Sequence, residues 1–301
     1  MKRKQIGWIA LALVIFLTSG LVTAKEKTIE KSFADVKHVR LKLVLGSCTL
    51  MKSPDKSVHI RVDYTYTESE FEAVLRQRNS KLELKEMFHD SNNNGGYSKW
   101  TVKIPDDIEV DFNSATGDLT LTNVSGRIDG STGTGDITVS DSNGKFDIST
   151  GTGYVEVSGS KGEFDFSSGT GNVEIENSEG NFDISSGTGN VTARKLTFDF
   201  EGEFSSGTGD AEVIGPKGKD YDLSVSSGTD DAVLDMDGIN LHGYFEMKAN
   251  RRMGRIVSPV KFDREEESDG DNKSIRKSVT IGSDTPKYYI STGTGKAVLK
   301  K

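Results

Sequence analysis

Ser168-Gly-Thr-Gly-Asn-Val-Glu-Ile-Glu176 runs without a gap into Asn177-Ser-Glu-Gly-Asn-Phe-Asp-Ile-Ser185. Each nine residues supply a glycine corner and then an apolar, polar, apolar alternation, which is the period of a half-buried strand. The pair makes an 18-residue unit, and the unit recurs. Gly117, Gly135, Gly153, Gly171 and Gly189 stand 18 residues apart, with Gly209 after 20 more, and Gly126, Gly144, Gly162 and Gly180 mark the other corner. A fixed period in this range is the signature of a solenoid. The expected fold is all-β: a β-solenoid of the parallel β-helix or β-roll type, with 18-residue coils, two strands per coil and two facing sheets.

Columns read at the same spacing show why the coils must stack. Ile128, Phe146, Phe164 and Phe182 form one; Phe112, Gly130, Ile148, Phe166 and Ile184 form its neighbour. Across the coil run Leu119, Ile137, Val155, Val173, Val191 and Leu121, Val139, Val157, Ile175, Ala193. Four apolar side chains per turn cannot make a core alone, but turns about 4.8 Å apart bury each column against the next. The turns need positive φ, which glycine adopts freely and Asn or Asp tolerates, and positions 117/118, 135/136, 171/172 and 189/190 carry those residues. Hydroxyl columns at Thr116, Thr134, Thr152, Thr170, Thr188 and Thr208 and at Ser131, Ser149, Ser167 and Ser185 are expected to satisfy turn backbone groups.

Outward from the repeat, the chain divides into a leader at 1–24, an N-terminal β region and cap at 25–112, regular coils at 113–236, and a C-terminal β region with a closing coil at 237–301. The first cap reads as strands at Val39–Leu45, Val58–Tyr66, Leu82–Glu86, Trp100–Ile104 and Ile108–Phe112, with one short helix over Glu68–Asn79 and an exposed loop at Ser91–Gly96. Near the other end, Glu265–Lys273 reads as a charged loop, and the phrase Ser291-Thr-Gly-Thr-Gly295 returns once as a final coil. Irregular caps cover what would otherwise be open sheet edges.

The leader has Lys2, Arg3 and Lys4, an apolar run from Ile6 to Leu17, and a small-residue ending at Ala24, which fits either a cleaved signal peptide or a retained anchor through residues 6–24. Both place the remainder outside the membrane. Ala297–Lys301 carries no wall-sorting or lipid-anchor signal. The formal net charge of −8 speaks against nucleic acid or an anionic membrane surface as partner. A lone cysteine, Cys48, excludes an internal disulfide, and its strand context makes it a buried structural thiol.

The join Trp100-Thr-Val-Lys-Ile-Pro-Asp-Asp-Ile-Glu-Val-Asp-Phe-Asn-Ser-Ala-Thr-Gly-Asp-Leu-Thr-Leu121, with its serial Ser-Gly-Thr-Gly-Asp coils, resembles the bacterial "putative adhesin" domain family of unknown function. Leader, size and layout resemble its membrane-anchored LiaG-type members, encoded with cell-envelope stress systems. The resemblance covers about residues 30–301 and implies a β-solenoid exposed outside the membrane, with no catalytic residues to carry over.

The turns look like calcium-binding nonapeptides, but Val173 and Val191 directly follow Gly171-Asn172 and Gly189-Asn190, so the ligating aspartate is missing. The cation candidate is the outward column Asp111, Asp129, Asp147, Asp165 and Asp183, which serves either as a solvated face or as a weak divalent site. Gly-Thr-Gly lacks the lysine and helix of a phosphate loop, and His38, His59, His89 and His242 are scattered singly. No cofactor motif and no triad is present. The expectation is a non-catalytic envelope protein binding an envelope protein or wall polymer. The alternatives are a self-assembling scaffold resembling the bactofilins and an enzyme on cell-wall glycans, which would need paired carboxylates in a groove.

Overall fold

The structure is a computed structural model that describes residues 26–89, 95–268 and 273–301. The leader, most of the Ser91–Gly96 loop and residues 269–272 lie outside the described residues. The described chain is all-β, and its two sheets hold 13 and 15 strands.

One coil shows how the sequence folds. Lys161–Thr170 is a ten-residue strand and Val173–Glu176 a four-residue strand, so the two nine-residue halves are unequal in structure. Successive coils pair in parallel and in register: Phe146 faces Phe164, which faces Phe182, while Val155 faces Val173, which faces Val191. All of these core side chains are buried. The Phe146, Phe164 and Phe182 rings stack with centroids 5.6 and 5.1 Å apart and interplanar angles of 12° and 5°. Gly130 sits between Phe112 and Ile148 in the neighbouring column.

The 20-residue interval is absorbed in Thr197–Ser206. Gly180 pairs with Phe198 but Phe182 pairs with Gly202, and the two extra residues bulge outward. Phe198 folds back over the missing side chain of Gly202, edge-on to Phe182 at 79°, whereas Phe200 is left 74% exposed.

The corners differ from expectation in two respects. Within the regular coils, positive φ outside glycine occurs at Asn123, Asp141, Asn177 and Lys195, on the corner opposite to the one expected to carry it. Asp118, Asp136, Asn172 and Asn190 instead use the side chain: Asp136 N donates to Asp118 Oδ1 at 3.0 Å, and Asn190 N to Asn172 Oδ1 at 2.9 Å. The hydroxyls that satisfy corner carbonyls are also neither of the columns expected. Thr132, Thr150, Ser168 and Ser186 donate to the carbonyls of Gly117, Gly135, Gly153 and Gly171 at 2.8 to 3.0 Å, each reaching back one coil. A second ladder is internal: Ser142 N donates to Ser160 Oγ and Ser160 N to Ser178 Oγ. Buried corners keep their polar groups paired in this way.

The repeat glycines are also spacers. Gly162 has φ 132°, and an added Cβ would come within 1.8 Å of the Gly144 carbonyl oxygen, a backbone atom that cannot move aside. Gly162→Ala is therefore expected to destabilise by more than the ~1 kcal/mol of an ordinary glycine replacement. Chemical denaturation checks it against Gly95→Ala, where φ is also positive but no heavy atom of the described residues lies within 4 Å.

The solenoid reaches further into both caps than the spacing shows. His38–Leu43 and Ser47–Lys52 already form a coil that stacks on Ile108–Thr116 and Leu119–Thr122. Two insertions interrupt and cover it: Val58–Tyr64 runs antiparallel to Ser98–Ile104, and Phe71–Arg78 antiparallel to Lys81–Phe88. The helix expected over Glu68–Asn79 is thus a strand. Phe71, Val74 and Leu75 have helical spacing, but Phe71, Ala73 and Leu75 alternate toward the core, and Asn79 at φ 53° makes the hairpin turn.

At the far end the returning phrase does not close the stack. Lys287–Thr292 and Lys296–Lys300 slot between Asp222–Ser227 with Ala232–Asp235 on one side and Gly243–Asn250 with Arg255–Val257 on the other. Antiparallel strands Ser274–Ile281 and Arg264–Ser268 finish that sheet, so the first part of the charged segment expected as a loop, Glu265–Ser268, is strand.

Candidate functional site

The outer face of the long-strand sheet carries two rows of side chains fixed by register. One runs Arg40, Asp111, Asp129, Asp147, Asp165, Asp183, Glu203. The next runs His38, Glu109, Arg127, Lys145, Glu163, Asn181. Strands about 4.8 Å apart hold like charges at that spacing, and cations must be close by or the carboxylates repel.

The five aspartates expected as one column divide into two kinds. Asp111 receives His38 Nε2 at 2.9 Å and Arg40 Nε and Nη2 at 3.1 and 3.0 Å. Burial pushes its pKa up, but the hydrogen bonds and charges of Arg40 and His38 together hold it below the usual carboxylate range. Asp129 takes Arg127 Nε at 3.0 Å, while its Oδ1 is buried without a partner. Asp147, Asp165 and Asp183 have no ion pair among the described residues. Burial first, then Asp183 and Asp147, push the Asp165 carboxyl up; burial, then Glu203 and Glu201, push Asp183 up.

These unpaired carboxylates floor a groove of about 570 Å³ opened beside the bulge. Its walls add Glu163, Glu201, Glu203 and Asp222, giving seven carboxylates against the single amine of Lys145, with Ser224 and Tyr289 at the far rim. Lys145 is engaged by Glu163, whose pKa it lowers chiefly through that hydrogen bond. The groove therefore presents uncompensated negative charge on a rigid sheet. It offers a cationic group oxygen acceptors in a fixed row.

The turn glycines Gly117, Gly135, Gly153, Gly171, Gly189 and Gly209 lie on the corner away from this row, where each is packed against the preceding coil. Cys48 is buried, and its thiol is pushed far up by burial and secondarily by Glu86. One cluster escaped the sequence reading: His38, Glu109 and Asp111 bring three ligand atoms within 4.8 Å of one another, across 73 residues of chain. No local spacing signals it, and Arg40 already occupies the Asp111 oxygen that His38 contacts.

Residues 40–241 match the Toastrack DUF4097 family, two thirds of the chain, and the protein belongs to that family. No curated protein sequence matches it. Among solved structures it is similar to a "putative cell adhesion protein" from Clostridium sporogenes ATCC 15579, with 16% identity, 92% of this chain and 99% of that chain covered, and a TM-score of 0.29. A "putative adhesin" from Parabacteroides distasonis ATCC 8503 matches at 15% identity, 92% and 97% coverage and a TM-score of 0.38. A "putative lipid binding protein" from the same organism matches at 11% identity, 93% and 98% coverage and a TM-score of 0.30. Family membership rests on the sequence match.

Proposed function

We propose that the protein is a non-catalytic binding module displayed outside the membrane, of the adhesin type, which holds a cationic partner over the acidic groove. The observation that carries this is the run of unpaired carboxylates Asp147, Asp165 and Asp183, continued by Glu203, whose mutual repulsion a cationic partner would relieve. An envelope protein segment rich in lysine or an amine-bearing wall polymer has the matching chemistry. The basic and apolar leader at 1–24 supports an extracytoplasmic position, either anchored as in LiaG-type members or released.

The full chain in detergent is expected to bind oligolysine and not oligoglutamate, with affinity falling as salt rises. Asp165→Asn combined with Asp183→Asn is expected to weaken oligolysine binding about tenfold. Equal binding of both peptides, or an affinity indifferent to the substitutions, overturns the reading.

The same groups set a pH dependence. Their folded pKa values are raised, so the folded chain binds protons more readily than the unfolded one. Stability then falls as pH rises from the unfolded carboxylate value through the higher folded value, and the loss persists at neutral pH. Asp165→Asn is accordingly expected to raise the melting temperature at neutral pH, with the gain vanishing in acid below both values. A lowered melting temperature at neutral pH would show that Asp165 is compensated.

A further inference from the structure

The opposite end of the same face has the opposite charge. We propose that the concavity between the Phe71–Arg78, Lys81–Phe88 hairpin and His38–Leu43 is an anion site for a phosphate ester carried on a polyol or sugar.

Register assembles it. Arg78 lies opposite Lys81, which lies opposite His38; Arg76 lies opposite Glu83, which lies opposite Arg40. These side chains, with Ser80, line a cavity of about 390 Å³. Further along this face three cations are each paired: Arg127 with Asp129, Lys145 with Glu163 and Lys161 with Glu179. Arg76, Arg78 and Lys81 have no ion pair among the described residues. In a chain of net charge −8, three unpaired cations gathered beside a fourth, with Glu83 as the one carboxylate in the lining, are what an acidic ligand would complete.

The frame is fixed before a ligand arrives. Gln77 Nε2 donates to the carbonyls of Ala34 and Asn79 at 2.8 and 2.9 Å, and Lys37 N and His38 N both donate to the Ser80 carbonyl. The hairpin turn is thereby tied to the start of the strand that carries His38 and Arg40. Asp111 holds Arg40 through Nε and Nη2 from behind. Planar guanidinium groups match the paired oxygens of a phosphate, and preorganised ones lose less freedom on binding it. A cavity of 390 Å³ exceeds a bare oxyanion, so the carrier of the phosphate fits inside with it.

The site is separate from the acidic groove and does not rest on it. Titration of the full chain in detergent with glycerol phosphate, against glycerol as control, tests it by calorimetry. Saturable binding of glycerol phosphate alone is expected, weakening as salt rises. Arg76→Gln with Arg78→Gln is expected to reduce affinity about tenfold. Arg127→Gln, a paired cation on the same face, should leave it unchanged, as should Asp165→Asn with Asp183→Asn. Both arginines are exposed, and an unchanged melting temperature confirms that the variant folds. No binding of glycerol phosphate, equal binding of glycerol, or indifference to the double substitution overturns the proposal. So does adsorption to vesicles containing an anionic phospholipid that depends on Arg76 and Arg78 while glycerol phosphate fails to compete, because that result assigns the patch to a lipid surface.

Discussion

Phe164→Ala is expected to cost about 3–5 kcal/mol in the unfolding free energy measured by denaturant titration. The ring is buried and stacked on both sides, with Phe146 at 5.6 Å and Phe182 at 5.1 Å, and it meets Phe166 at 6.2 Å. Its removal leaves a cavity that cannot collapse. Backbone pairing on either side locks Lys161–Thr170 to both neighbouring coils, so the strand cannot shift inward without breaking register. The loss also reaches across two coil interfaces, because each coil is stable only against its neighbours. Phe198→Ala sits two coils on, where the bulge already departs from the regular stack, and should cost less. A Phe164→Ala cost below about 1 kcal/mol would mean that the column does not carry the stability ascribed to it.

The apolar columns were legible because stacking turns a sequence interval into a distance. Residues 18 apart face one another, so Phe146, Phe164 and Phe182 could be aligned with no structural knowledge. The same rule revealed the aspartate row but not its division. Asp111 is bound by His38 and Arg40, which lie over 70 residues earlier and outside the period. Nothing in the repeat shows that His38–Leu43 is itself a coil. The intervening hairpins push it 70 residues upstream of the strand it abuts, and the join carries no glycine phrase. The basic concavity was hidden for the same reason, and further by Val74, which gave Glu68–Asn79 a helical spacing. The corners misled differently. Asn172 and Asp136 look like residues chosen for positive φ, whereas their side chains stand in for a carbonyl on the next coil.

Glu86 is the residue whose importance no pattern announced, and its replacement tests how the first coil is held. It is 1% exposed, yet it is a carboxylate. Oε2 accepts from the backbone N–H groups of Val44, Leu45 and Gly46 at 2.7, 3.0 and 3.2 Å, which are the corner between His38–Leu43 and Ser47–Lys52. Oε1 accepts from Trp100 Nε1 at 2.9 Å and from the Ser98 hydroxyl. One side chain thus joins both insertions to the first coil, where the later coils use a hydroxyl and a glycine carbonyl. Glu86→Ala would orphan three backbone donors and an indole donor in a dry corner. At about 1–3 kcal/mol for each unsatisfied group, with the Ser98 hydroxyl free to rotate away, a loss of at least about 4 kcal/mol is expected. Glu86→Gln should cost roughly half as much. Its carbonyl oxygen can still serve the three backbone donors, while its amide N–H groups face Ser98 and Trp100, and Ser98 can turn its lone pairs to accept. Denaturant titration of the three proteins gives the order, and tryptophan fluorescence reports the loosening at Trp100. If Glu86→Ala proves no worse than Glu86→Gln, water reaches the corner, and the carboxylate does not hold the insertions to the solenoid.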